Sequence, residues 1–241
     1  MLVERGLCDD LPRATSLILS GSVIVEGEKI TKAGFKFPRN ARIEVLDKIP
    51  IYVSRGALKL KSAFKSFGVS SNNKICIDLG ASTGGFTEIL LLNGAEKIYA
   101  FDVGYGQMAS RLQSNSKIIL KDRFNVRNLS WKELDSNFSD LFIVMDLSFI
   151  SLKTIFPTIQ NLKLEARHIK IEVISLIKPQ FECSPEETEK GIVRNPRIHF
   201  RILKEILSFL KKEIKANIKG ICNSGIRGTS GNREFFVYWE L

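Results

Sequence analysis

Ile75-Cys76-Ile77-Asp78-Leu79-Gly80-Ala81-Ser82-Thr83-Gly84-Gly85-Phe86 is the stretch whose reading decides the fold. A short apolar run ends in an acid, breaks into small residues, and opens an apolar-periodic segment over 86–92. That order predicts a strand, a glycine turn and a helix, the unit that brings backbone N–H groups and a helix N-terminus close to a ligand. The loop is neither Gly-x-Gly-x-x-Gly nor a Gly-Lys-Ser/Thr phosphate loop, so neither fingerprint is satisfied. Further on, Lys97-Ile98-Tyr99-Ala100-Phe101-Asp102 predicts a second strand ending in an acid. A carboxylate there can accept both hydroxyls of a ribose. A nucleoside without a demanding phosphate suits this pair, S-adenosylmethionine first. The alternative is a purely structural strand–turn–helix with glycine for tight packing.

Outward from this stretch, from residue 52 onward, strands alternate with helices, which argues a parallel sheet with crossovers. Strands are expected at 75–78, 98–102, 117–120, 141–146 and 171–177, and helices at 57–66, 86–93, 151–162 and 197–214. Two β-rich segments, 215–222 and 234–239, are spaced like an antiparallel pair on a sheet edge. Residues 1–46 read as a separate small α+β module. Helical periodicity over 13–19 stops at Ser20-Gly21, and a strand, a tight turn at Glu26-Gly27, a second strand and a further short strand in 41–46 follow. Residues 47–53, with Pro50, read as a linker to a large α/β domain over 54–241.

The chain carries 36 Lys/Arg against 26 Asp/Glu, a formal net charge of +10. Residues 1–48 hold 8 against 7, residues 49–132 hold 12 against 5, and residues 133–241 hold 16 against 14, so the excess sits beside the glycine loop. This favours an extended anionic partner docking there over a lysine-rich solvated surface. Cys8, Cys76, Cys183 and Cys222 form no C-x-x-C pair, and only His168 and His199 accompany them, which argues against a structural zinc site; no metal is expected. Met1-Leu2-Val3-Glu4-Arg5 lacks the pattern of a secretory signal, and Asp146 interrupts the apolar run 141–152. A reduced, cytoplasmic protein without a membrane partner is expected.

In open α/β sheets ligands bind beyond the carboxyl ends of the strands. Asp78, Asp102, Asp146 and Lys178 fall at successive strand ends. Asp146 and Lys178 belong on neighbouring strands, close enough to pair, either for catalysis or as a structural ion pair. Lys59 lies at the start of a helix, and Glu234 guards the mouth of the last strand.

These residues resemble the TlyA family. The resemblance is carried by Tyr52-Val53-Ser54-Arg55-Gly56-Ala57-Leu58-Lys59-Leu60, 78–86, Asp102-Val103-Gly104-Tyr105-Gly106-Gln107, 146–152, Lys178-Pro179-Gln180-Phe181 and Gly231-Asn232-Arg233-Glu234-Phe235. It runs in order over nearly the whole chain. It implies an S4-type RNA-binding domain, matched in 2–7, Arg13 and 17–27, joined to an FtsJ-like class I methyltransferase. The implied activity is S-adenosylmethionine-dependent 2′-O-methylation of cytidine ribose in 16S and/or 23S ribosomal RNA, on free rRNA or ribosomal subunits. The implied catalytic tetrad is Lys59, Asp146, Lys178 and Glu234, with Lys178 as base, Asp146 orienting it, and Glu234 holding Lys59 or the ribose. The implied cofactor residues are Asp78, Gly80, Ala81, Ser82, Thr83, Gly84 and Asp102, with Asp122 beside the adenine and Phe149 stacking on a base or the cofactor. RNA contact is expected from Arg5 and Arg13, and more from the methyltransferase face through Arg55, Lys61, Lys65, Arg123 and Arg127. Two other readings remain: an RNA-binding module that no longer catalyses, and a cytolysin, because the family carries a haemolysin label.

Overall fold

In a computed structural model the chain divides into two units, Met1–Tyr52 and Val53–Leu241. It describes all residues except 9, 10, 20, 47–51, 135–137, 139 and 229, and except the side chains of Pro12, Arg13 and Ser16. Most of the expected linker and the Arg13 side chain therefore lie outside the described residues.

In the first unit, α1 (Leu11–Leu19) ends at Gly21, whose φ of +70° turns the Gly21 and Ser22 N–H groups back onto the Ile18 and Leu17 carbonyls. Then β1 (Val23–Val25) pairs antiparallel with β2 (Glu28–Ile30) and β3 (Ile43–Val45), one on each side. Glu26 and Gly27 both have positive φ, the backbone a two-residue hairpin needs to match strand twist. Leu2, Cys8, Ala14, Leu17, Val23, Val25 and Ala41 form its core.

The second unit begins with α2 (Gly56–Phe67), closed by Gly68 in the left-handed region. The glycine stretch becomes β4 (Ile75–Leu79), the loop, and α3 (Gly85–Leu92). There follow β5 (Lys97–Phe101), α4 (Ser110–Gln113), β6 (Ile118–Lys121), β7 (Asp140–Met145), α5 (Leu152–Glu165), β8 (Lys170–Ile177), α6 (Pro196–Phe209), β9 (Asn217–Asn223) and β10 (Phe235–Glu240). The seven strands run β6-β5-β4-β7-β8-β10-β9, parallel from β6 to β8, with β10 antiparallel to both its neighbours. Every residue of β4 is buried, as a strand covered on both faces must be. From β4 the chain winds outward to β5 and β6, and from β7 outward to β8, so the order reverses between β4 and β7. A crevice opens beyond the strand ends at such a switch point. Leu79, Phe101, Ile143, Phe156 and Trp239 are fully buried in the core around it.

The differences from expectation are local. Asp102 and Asp146 sit one residue past their strands, each still donating its backbone N–H to the neighbouring strand, at the border of the crevice. Helix α5 runs on past Pro157 to Glu165, because its buried face, Ile155, Phe156, Ile159 and Leu162, continues beyond the proline. The last long helix is α only to Phe209, and a π turn, Leu210–Ile214, carries it to the strand. The antiparallel pair β9–β10 stands at one edge of the sheet as expected, shifted by one or two residues, with β9 outermost. Among the described residues no helix is long and apolar enough to cross a membrane, and no cluster of His, Cys, Asp and Glu could hold a metal.

Candidate active site

The loop after β4 is shaped by close approach. Gly80 has φ +87°, and a Cβ on it would lie 2.6 Å from the Asp146 carbonyl oxygen, so only glycine lets the ends of β4 and β7 meet here. Ser82 and Gly84 are also left-handed, which coils the loop inward. A Cβ on Gly85 would come within 2.9 Å of the Ala57 backbone nitrogen, which shows how closely the N-termini of α2 and α3 converge. The first N–H groups of a helix have no intrahelical acceptor and carry partial positive charge, so two such ends favour an anionic group between them. A cleft of about 370 Å³ opens there, lined among others by Ser54, Thr83, Phe86, Asp146 and Lys178.

Three acids border this loop. Asp102 accepts from the Ser82 N–H at 2.8 Å and from the Gly104 N–H at 2.6 Å, one bond on each oxygen, leaving further lone pairs for hydroxyl donors. Asp122 accepts from the Gly106 N–H at 2.7 Å and fixes the loop that follows Asp102. Asp78 is fully buried; Thr87 donates to its Oδ2 at 2.6 Å, while its Oδ1 has no partner among the described residues. Burial pushes its carboxyl up to about 7, against the Thr87 hydrogen bond and helped by the charges of Asp146 and Asp102. A buried acid with one orphaned oxygen, two helix N-termini and a loop-held carboxylate can together take a ligand bearing an ammonium, a carboxylate and a ribose. S-adenosylmethionine has those three groups.

The amides of Gly80 and Ala81 are bound to the Phe101 carbonyl, and that of Gly84 to the Ala81 carbonyl. With Ser82 bound to Asp102, the loop supplies shape and helix termini rather than a row of open N–H groups.

Across the cleft stand two ion pairs. Lys178 Nζ, at the end of β8, is 2.6 Å from Asp146 Oδ1 and donates to Ser148 Oγ at 2.8 Å. Lys59 Nζ is 2.7 Å from Glu234 Oε2, with both side chains nearly buried. Asp146 Oδ1 and Glu234 Oε2 accept no hydrogen bond among the described residues, so each contact is an ion pair. A Cβ on Gly228 would sit 2.4 Å from Glu234 Oε1; the bare glycine leaves room for this carboxylate. Lys59, Asp146 and Lys178 line one cleft, and Glu234 joins it through Lys59. Beside Lys178, Phe149 is 90% exposed with φ +63° and stacks at 5.0 Å on Phe181, itself 5.8 Å under the Lys178 ammonium.

The remaining expected residues scatter. Arg55 lines the cleft and donates to the Arg227 carbonyl at 3.0 Å. Lys61 and Lys65 lie one turn apart on the exposed face of α2. Arg123 stacks 4.2 Å over Tyr105, and Arg127 is exposed. Arg5 donates to the Ala41 carbonyl at 2.7 Å and to the Arg39 carbonyl, so its guanidinium also braces the first unit. Sequence reasoning passed over Ser54, Ser148 and Arg227. Ser148 had a signal in its place two residues after Asp146. Arg227 had none beyond the glycines around it.

With this geometry in view, comparison with known proteins is specific. The model of the FtsJ-like methyltransferase family matches residues 52–241. Hemolysin A of Brachyspira hyodysenteriae is 38% identical over 99% of this chain and 97% of its own length. The 16S/23S rRNA (cytidine-2′-O)-methyltransferase TlyA of Mycobacterium tuberculosis is 34% identical over 98% of this chain and 87% of its own. A solved structure from Streptococcus thermophilus with a provisional hemolysin label is 33% identical, covers 99% of this chain and 86% of that one, and has a TM-score of 0.74. The chain belongs to the FtsJ-like methyltransferase family, in its TlyA branch.

Proposed function

We propose that this chain is an S-adenosylmethionine-dependent ribosomal RNA 2′-O-methyltransferase acting on cytidine ribose in 16S and/or 23S rRNA. The observation that carries the reading is Lys178, held between Asp146 and Ser148 at the mouth of the switch-point cleft, with the buried Lys59–Glu234 pair opposite. The name of the Mycobacterium tuberculosis relative supports the substrate and the position methylated. Such a substrate implies work in the cytoplasm.

S-adenosylmethionine supplies an electrophilic methyl group on a positively charged sulfur. Asp78 would face its ammonium, the N-termini of α2 and α3 with Thr83 would face its carboxylate, and Asp102 would accept from its ribose. When bound, the cofactor would offer that methyl to the RNA 2′-oxygen, the carbon–sulfur electron pair staying on sulfur. Lys178, as the amine, takes the proton the 2′-hydroxyl loses. Asp146 and Ser148 fix where Nζ points, and the protein's main contribution is alignment of oxygen, carbon and sulfur. Lys59, braced by Glu234, would bind the ribose or its phosphate. The first unit would act as the S4-type RNA-binding domain, with Arg5 and Arg13 contributing RNA contacts.

The test is transfer of labelled methyl from S-adenosylmethionine to unmodified ribosomal subunits, with Lys178→Ala alongside. Label in one rRNA species, lost at least about a hundredfold in a folded variant that still binds cofactor, is the expected result. Equal transfer by the variant overturns the role of Lys178. No transfer by folded, cofactor-binding wild-type protein overturns the enzymatic reading and favours the RNA-binding module.

A further inference from the structure

A second concavity of about 390 Å³ adjoins the catalytic cleft, sharing Arg227 with it. Its walls are the 192–196 segment leading into α6, and the 227–233 loop before β10. Buried Asn232 latches the two, accepting from the Val193 N–H and donating to the Gly191 carbonyl, each at 2.9 Å. Three arginines line the concavity: Arg194, Arg227 and Arg233. Arg227 is held by its own bond to the Gly231 carbonyl at 2.9 Å, and Arg194 pairs at its rim with exposed Glu189. At its base lies His199, 6% exposed, packed edge-on against Phe235. The imidazole bonds the Val193 carbonyl, and its Nε2 is buried with no partner among the described residues. Burial, with Arg233 and Arg227 nearby, pushes the imidazole below its usual value despite that bond. With its donor nitrogen on Val193, Nε2 is an acceptor waiting for an N–H or O–H.

We propose that this concavity is a nucleotide subsite, in which Arg194, Arg227 and Arg233 take an RNA phosphate while His199 Nε2 accepts from the attached nucleoside. An inorganic anion would satisfy the arginines and leave the imidazole orphaned, whereas a nucleotide answers both. Through Arg227 the subsite is continuous with the cleft that receives the target ribose, so it grips the strand beside the methylated position. The identity of the polyanion rests on the rRNA reading above. The donor to Nε2 is either a ribose 2′-hydroxyl or a base amine.

The experiment measures fluorescence anisotropy of a labelled single-stranded oligoribonucleotide, and of its all-2′-deoxy counterpart, against the full chain across a salt series. Arg194→Ala and Arg233→Ala are each expected to weaken binding about five- to tenfold and to lower the log–log salt slope by about 1. His199→Phe removes the acceptor and leaves the salt slope unchanged, while His199→Gln retains an acceptor and most of the affinity. Loss of the ribo-over-deoxy preference in His199→Phe identifies the 2′-hydroxyl as donor; an equal loss on both strands identifies a base amine. The exposed arginines keep the test open if His199→Phe does not fold. An Arg194→Ala/Arg233→Ala protein that melts like wild type and binds the oligoribonucleotide with wild-type affinity and salt slope overturns the subsite. Methyl transfer by the wild-type protein is read separately. If that is absent while the arginine variants still lose binding, the rRNA methylation reading falls and the subsite stands as an RNA contact.

Discussion

Asp78→Asn separates the electrostatic cost of the buried acid from its use. In the folded chain burial raises this carboxyl from the ordinary 3.8 to about 7. Between those two values the native state keeps a proton that the unfolded chain has released. Stability therefore falls as pH rises through this window, and the loss is complete above about 7. At about 1.4 kcal/mol for each tenfold change in proton affinity, the ceiling on that loss is ~4 kcal/mol. An asparagine keeps the shape and can still accept from Thr87, which donates at 2.6 Å, but it does not titrate. Urea unfolding of the cofactor-free protein at intervals from pH 5 to 8 should show wild type weakening with pH relative to the variant, by at most about 3 kcal/mol across the range. Glu182, also raised by burial, tilts both curves alike and cancels in the difference. Cofactor affinity supplies the second readout. A ligand ammonium beside Asp78 prefers the carboxylate, so wild-type affinity should rise by up to about tenfold per pH unit below 7 and level off above it. The variant should bind weakly without that pH dependence. Parallel stability curves for the two proteins would refute the argument, whatever the cofactor data show.

Gly80→Ala should cost about 1–3 kcal/mol in urea unfolding, because φ +87° disfavours a side chain and the new Cβ would lie 2.6 Å from the Asp146 carbonyl oxygen. Displacing Asp146 should also lower methyl transfer at least about tenfold, and an unaltered turnover would count against the placement of Asp146 beside Lys178. Glu234→Gln leaves the Lys59 ammonium nearly buried without its counter-charge, so unfolding free energy should drop by about 3 kcal/mol; a change below measurement error would mean that water already solvates the pair. Phe149→Ala removes a ring that is 90% exposed, so stability should move by no more than about 0.5 kcal/mol. Its loss should instead appear as an about tenfold rise in KM for ribosomal subunits, and a rise confined to cofactor Kd would assign the ring to the cofactor.

What the sequence made legible followed from short-range rules. An acid after an apolar run marks a strand end, so Asp78, Asp102, Asp146 and Lys178 could be assigned to one edge of a parallel sheet before any coordinate was known. Glycines at 80 and 84 declared a backbone that only they accept cheaply, and both have positive φ. Pairing of Asp146 with Lys178 followed from strand adjacency, and they lie 2.6 Å apart. Less visible were features decided by contacts distant in sequence. The helix expected over 151–162 does pass through Pro157, but nothing local at Leu162 says that it runs on to Glu165. Nor does Lys59 announce Glu234, a partner on the far side of the chain's last loop. The partners of the Gly80, Ala81, Ser82 and Gly84 amides were hidden for the same reason: their acceptors, the Phe101 and Ala81 carbonyls and Asp102, appear only when β5 lies beside β4.

That last point bears on how the site works. A loop whose amides are already bonded cannot change conformation without breaking those bonds, so it is rigid before any ligand arrives. The same Asp102 that would accept ribose hydroxyls holds the Ser82 and Gly104 amides, and the same Asp146 that aims Lys178 donates its N–H to the Leu79 carbonyl at 3.0 Å. The cofactor pocket and Asp146 are thus built on the ends of two adjacent strands, β4 and β7, with Lys178 at the end of the next strand, β8, and backbone hydrogen bonds set the spacing of those strand ends. Methyl transfer requires sulfur, carbon and oxygen in line, with little tolerance for lateral error. A fold that fixes cofactor and base to one backbone ladder meets that requirement, which is why substitutions that shift Gly80 or Asp146 should lower turnover more than they weaken binding.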